Sequence, residues 1–173
     1  MSSARIIDVM RVLTEPSACS YLAHETACLE YRVPWDLNSD SYGELLRRGW
    51  RRFGNYVFRP QCLTCTKCRP LRVDVNQFRS TKSQRRTLKR NAHIDVSIAP
   101  AGVTDEHIAL FNAYHEDMTN RRGWNEHQTS SPEYAEGFIG TDFEFACEFQ
   151  YRDAGRLVGV SLVDVTDVGL SSV

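Results

Sequence analysis

Fourteen of the 21 lysines and arginines fall between Arg47 and Arg90, a stretch with a single acid, Asp74. The remaining residues hold seven Lys or Arg against 21 Asp or Glu, so a net charge of −1 conceals +13 in the middle and −14 elsewhere. Charges at that density cannot be buried without partners. The sharpest case is Ser80 to Asn91, read as a helix. There Lys82, Arg85, Arg86, Lys89 and Arg90 fall at i, i+3, i+4, i+7 and i+8 and share one face. A helix normally buries an apolar stripe at that spacing; this one presents cations to something anionic. A short charge run is usually a solvated face. Here the run is long, nearly free of acids and one-sided, which favours RNA. Arg47, Arg48, Arg51 and Arg52 are expected to extend the surface.

Cys62, Cys65 and Cys68 lie in the same basic stretch, within Arg59-Pro-Gln-Cys-Leu-Thr-Cys-Thr-Lys-Cys-Arg-Pro70. Repeated x-x spacing brings thiolates within reach of one metal ion or cluster, and nearby cations favour the thiolate. Three thiolates leave a four-ligand site one short. The alternative is a loop of reduced cysteines with no metal. Met1 to Ile7 lacks the pattern of a secretory signal, so reduced thiols are expected over disulfides. Cys28 and Cys147 sit in apolar contexts and read as buried free thiols.

With 173 residues, 42% of them hydrophobic and 25% charged, the chain has the makeup of a globular protein of one domain or two small ones. No apolar run is long enough to span a membrane, and a cytoplasmic protein is the default. Residues 5 to 13 read as a strand, and Asp36 to Trp50 as a short helix capped by Asp40. Asn55–Phe58 and Leu71–Val75 alternate as strands would on either side of the cysteine knuckle, and His93–Ile98 alternates likewise. Pro100-Ala-Gly102 is the candidate boundary between domains 1–100 and 101–173. Beyond it, Thr104 or Asp105 caps a helix ending near Arg121-Arg-Gly-Trp124, and Ser131 opens a shorter one with Pro132 in its first turn. Phe143–Tyr151 and Leu157–Val165 form a hairpin around Asp153-Ala-Gly155, and Val168–Val173 starts another strand. Helices followed by antiparallel strands give an α+β fold. A chain ending inside a strand is expected to be a truncated one.

These residues resemble the aminoacyl-tRNA–protein transferase family. The matching stretches include Cys19-Ser-Tyr-Leu22, Leu29-Glu-Tyr-Arg32, Leu45-Leu-Arg-Arg-Gly-Trp-Arg-Arg-Phe-Gly54, Phe58-Arg-Pro60 and the Cys62–Cys68 knuckle with Arg69-Pro-Leu-Arg-Val73. Ser83-Gln-Arg-Arg86, Lys89-Arg-Asn91, Arg122-Gly-Trp124, Leu157-Val-Gly-Val160 and Gly169-Leu-Ser-Ser-Val173 follow in order. The knuckle looks more like the bacterial aspartate/glutamate leucyltransferases than the arginyl-tRNA–protein transferases. The resemblance implies transfer of leucine or arginine from aminoacyl-tRNA to proteins with N-terminal Asp or Glu, marking them for N-degron degradation. It implies a Cys-knuckle domain followed by a GNAT-like acyltransferase domain, with the sheet of the latter cut short here.

The same resemblance makes Cys19 the fourth ligand of Cys62, Cys65 and Cys68, for zinc or an iron–sulfur cluster, and implies no nucleotide cofactor. An Arg fork suits the carboxylate of the acceptor residue, and Arg72 is the choice beside the knuckle. The aminoacyl ester is already activated, so transfer calls for positioning, an acceptor for the α-amine proton and an oxyanion donor. Asp164 has the chemistry of that acceptor and is equally a surface hairpin acid; Ser171 and Ser172 offer hydrogen bonds. His115 reads as a packed or surface histidine. A monomer is expected. The competing reading is a non-catalytic, metal-stabilised RNA-binding module, and a third is a metal or redox sensor.

Overall fold

The computed structural model describes residues 6–141 and 143–172. The first half builds a four-stranded antiparallel sheet in the order β1 (Asp8–Leu13), β4 (Leu29–Pro34), β6 (Tyr56–Pro60), β5 (Arg51–Phe53). A small hairpin, β2 (Ser17–Ala18) with β3 (Thr26–Ala27), projects between β1 and β4. The helix expected over Asp36–Trp50 is α1 (Ser39–Arg47), and its cap is Asn38 rather than Asp40. Asn38 Oδ1 accepts from the Ser41 N–H at 2.9 Å while Ser41 Oγ accepts from the Asn38 N–H, a reciprocal box that Asp40, two residues further on, does not form. Asp40 instead lies in the first turn, where an anion suits the helix dipole.

The second half forms another antiparallel sheet, in the order β10 (Gly169–Ser172), β9 (Arg156–Thr166), β8 (Ala146–Asp153), β7 (Asp95–Pro100). β7 precedes Pro100-Ala-Gly102 in sequence yet pairs with β8 from Asp95↔Arg152 to Pro100↔Cys147. The β8–β9 turn is two residues, Ala154 and Gly155, both at positive φ, the twist that suits a tight hairpin. Helix α3 (Asp105–Arg122) is boxed by Thr104 and His107 and ends at Gly123 in the left-handed conformation. It packs on the sheet through His107, whose Nε2 meets Glu148 Oε1 at 3.1 Å. The Thr104 N–H and hydroxyl both lie against His107 Nδ1, at 3.2 and 2.6 Å. The short α4 (Ser131–Tyr134), with Pro132 in its first turn, runs into a π-helical turn over Ala135–Ile139.

The principal core belongs to both halves. Leu37, Tyr42, Leu45, Trp50 and Val57 of the first half cluster with Phe145 of the second. Gly43 lets α1 come down onto the β9–β10 turn, since a Cβ there would strike the Asp167 carboxylate. Residues 61–80 contain no helix or strand. The strand expected over Leu71–Val75 is absent: the alternation is there, but no neighbouring strand supplies hydrogen bonds, and Leu71, Val73 and Val75 stay exposed. Thus only β6 flanks the knuckle.

Candidate functional site

The basic helix forms as α2 (Lys82–Arg90), capped by a reciprocal box between Thr81 and Gln84. None of its residues is buried, and even Leu88 is 69% exposed. Among the described residues, no carboxylate makes an ion pair with Lys82, Arg85, Arg86, Lys89 or Arg90. Five cations at helical spacing, unneutralised and standing in solvent, produce a strong local field for a polyanion.

The arginines expected to extend this field do other work. Arg47 pairs with Glu44 and Asp167, Arg51 donates to the Ser172 carbonyl, and Arg52 is fully enclosed. Arg48 and Arg51 of that group remain exposed without an ion pair among the described residues. The surface therefore centres on α2.

Arg52 organises the second notable cluster. Its Nε and Nη2 donate to the two oxygens of Asp164 at 2.9 and 2.6 Å, and Nη1 donates to the Gly54 carbonyl at 2.8 Å. The guanidinium lies 5.0 Å from the Phe143 ring centroid and 5.9 Å from that of Phe145. Asp164 is wholly buried, so both its oxygens are committed to holding the halves together. Neither oxygen faces solvent or an open site. Ser171 is directly opposite Asp164 in the β9–β10 ladder and half-buried, whereas Ser172 is exposed. Tyr42 completes the cluster: its buried hydroxyl lies beside Ser171 and Asp164 without a well-formed hydrogen bond among the described residues, and burial, then the Asp164 carboxylate, push it up to about 12. Sequence reasoning missed Arg52 and Tyr42 here. Arg52 gave a signal only as one more cation in a basic run.

Arg72 stands apart from this cluster and donates to the Leu46 carbonyl at 2.6 Å, near the C-terminus of α1. At the cysteines, the Cys19 N–H donates to the Glu25 carbonyl across the β2–β3 hairpin, and the Gln61 N–H donates to the Cys28 carbonyl at 2.8 Å. The Cys62 thiol faces that same carbonyl at 3.8 Å, so the hairpin and the start of the knuckle run side by side. Four soft thiols are the right kind of donor set for zinc or iron. Yet among the described residues no three His, Cys, Asp or Glu side chains converge as ligands would. Cys28 is buried, with its thiol donating to the Thr14 carbonyl, while Cys147 is half-buried and its thiol is pushed up by burial and by the Asp164 and Glu148 carboxylates. No described helix is long and apolar enough to cross a membrane.

Both halves of the chain match known proteins. Residues 17–86 match the family pattern described as arginine-tRNA-protein transferase, N terminus, and residues 106–173 match that of the C terminus. The chain belongs to the arginine-tRNA-protein transferase family. It is 36% identical over 151 residues to an aspartate/glutamate leucyltransferase of Helicobacter hepaticus, covering 87% of this chain and 63% of that protein. A protein of the same name from Campylobacter jejuni is 31% identical over 90% of this chain and 65% of its own length. One from Thiobacillus denitrificans is 35% identical over 93% of this chain and 66% of its own length. The chain thus spans somewhat under two thirds of the length of these curated relatives.

Proposed function

We propose that this chain carries the tRNA-docking lobe and part of the transferase lobe of an enzyme that moves leucine from aminoacyl-tRNA to proteins with N-terminal Asp or Glu. The observation that carries the reading is the five-cation face of α2, unpaired among the described residues, in a chain whose two halves both match the family. The relatives' names favour leucine over arginine as the donated residue. The product would bear a new N-terminal residue for N-degron recognition, in the cytoplasm.

In the reaction, the acceptor's α-amine attacks the ester carbonyl, an amide forms, and the tRNA 3′ oxygen departs with a proton. An α-amine with a pKa of about 7.7–8.0 needs only modest help to be neutral at physiological pH. The demand on the protein is therefore alignment, with hydrogen bonds to the developing oxyanion. Lys82, Arg85, Arg86, Lys89 and Arg90 would hold tRNA phosphates. Ser171 and Ser172 lie at the edge strand of the transferase sheet, read as GNAT-like, and Arg72 would meet the acceptor's carboxylate. Asp164, with Arg52, fixes β9 against β5 rather than taking the proton. Cys19, Cys62, Cys65 and Cys68 would hold zinc or an iron–sulfur cluster, whose contribution is to order the basic surface.

The test is transfer of labelled leucine or arginine from charged tRNA, by the full-length protein, onto peptides beginning with Asp, Glu, Arg or Lys. Leucine on Asp and Glu peptides is expected; absence of transfer from either donor to any peptide overturns the reading.

A further inference from the structure

A cluster of rings around α3 has no part in the chemistry above. Its inner half is a small core, with the Phe111 ring centroid 5.7 Å from that of Tyr134 and 5.4 Å from that of Phe138. From Phe111 the rings continue outward: His115 follows at 4.3 Å, and His127 and Trp124 lie 5.2 and 5.6 Å from His115. Tyr114 stands edge-on to Trp124 at 6.0 Å. Of these outer rings, His115 is half-buried and the other three are open to solvent. Tyr114 is 51% and Trp124 44% exposed, and His127 is exposed as well. Four rings held edge to edge on a packed aromatic base make a pre-ordered surface, which loses little entropy on binding.

Local charge narrows what such a surface would accept. Residues 101–173 hold four arginines against thirteen Asp or Glu. Arg121 is tied to Asp117 and Arg152 to Glu106, and the remaining Arg122 and Arg156 are far outnumbered by the acids. Transfer nevertheless requires the unpaired 3′ end of an aminoacyl-tRNA to reach this lobe. The faces of nucleobases carry no net charge and stack on aromatic rings, so they are the part of an RNA that an acidic, ring-lined surface can hold.

We propose that Tyr114, His115, Trp124 and His127 form a stacking platform for the unpaired bases at the 3′ end of tRNA, while α2 holds phosphates elsewhere on the same molecule. This inference rests on the tRNA reading above and assigns that reading a second, chemically different contact.

The experiment measures binding of intact tRNA, and of the same tRNA trimmed of its unpaired 3′ nucleotides, to the full-length protein. Trp124→Ala should weaken binding of intact tRNA about tenfold, within the range of one base–aromatic stack, and leave the trimmed tRNA unaffected. Trp124→Phe, which keeps a ring face, should restore binding of the intact molecule. Equal loss for both RNAs would mean that Trp124 only supports the fold, and no loss for either would mean that it touches no base; both overturn the platform. If the unaltered protein binds intact and trimmed tRNA equally, and reversal of α2 charges weakens both, the tRNA reading stands and the platform falls. Failure of the unaltered protein to bind either RNA removes both.

Discussion

Arg52 and Asp164, 112 positions apart, face each other through two parallel hydrogen bonds of 2.9 and 2.6 Å with neither side chain open to solvent. This contact fastens β5 of the first sheet to β9 of the second. Removing one member strands a buried charge, so Asp164→Ala should cost about 3–5 kcal/mol of unfolding free energy in a denaturant titration. Replacing both, as Arg52→Met with Asp164→Leu, should recover most of that loss. A catalytic acceptor would behave differently: Asp164→Asn would abolish transfer while stability held. The expected result is that stability and transfer fall together.

Tyr42 gives a prediction about alkaline pH. Its hydroxyl is buried without a well-formed hydrogen bond among the described residues, and burial with the nearby Asp164 carboxylate raises it to about 12 from an ordinary value of 10. The folded state then holds this proton more tightly than the unfolded chain. The stabilisation is fully present below pH 10 and is lost as pH rises through about 12. A shift of that size corresponds to about 2–3 kcal/mol. Tyr42→Phe should remove this component of the alkaline loss while leaving stability at pH 7 unchanged or slightly higher, because an unpartnered hydroxyl contributes nothing. Comparing unfolding curves of the two proteins between pH 9 and 12 checks it, and parallel curves would show that the hydroxyl is solvated.

Glu30 gives the acid counterpart. Burial raises its carboxyl, but hydrogen bonds and charge from Arg59 and Arg11 outweigh burial and leave it below the ordinary value of 4.5. Arg59 Nε donates to one oxygen at 2.9 Å and Arg11 Nε to the other at 2.6 Å. Arg59 also lies over the Trp50 ring, 4.6 Å from its centroid, so the pair anchors a core tryptophan. Glu30→Gln should cost about 2–4 kcal/mol at pH 7. A lowered pKa contributes stability above its unfolded value that is lost as pH falls through the folded one. The gap between wild type and Glu30→Gln should therefore close below pH 4.5, and a constant gap down to pH 2.5 would contradict the pairing.

The sequence made the peripheral features legible and hid the central ones. The α2 stripe could be read because helical spacing is local and five cations cannot be mistaken for a core face. The β8–β9 hairpin was equally readable from Asp153-Ala-Gly155, although the turn itself is only Ala154 and Gly155. The Arg52–Asp164 contact was not, since nothing in either neighbourhood names a partner 112 residues away, and Arg52 blended into the basic run. Leu71–Val75 misled for the complementary reason: alternation specifies two faces but cannot say whether a second strand is present. Asn38 displaced Asp40 as a cap through a reciprocal bond that composition alone does not rank.

At the cysteines, the proposed four-thiolate site makes a stoichiometric prediction. Cys19→Ser and Cys65→Ser should each lower the metal content of protein purified under reducing, anaerobic conditions to a similar degree, measured by elemental analysis. Full metal content in the Cys19 variant would move the fourth ligand elsewhere.

The central claim, that α2 is the docking face for tRNA, is tested most directly by the salt dependence of tRNA binding to the full-length protein. Lys82→Glu, Arg86→Glu and Lys89→Glu together should weaken binding and flatten the log–log salt slope by about 2–3, because each lost phosphate contact removes about 0.7–0.9. An affinity and slope unchanged by the triple substitution would contradict it.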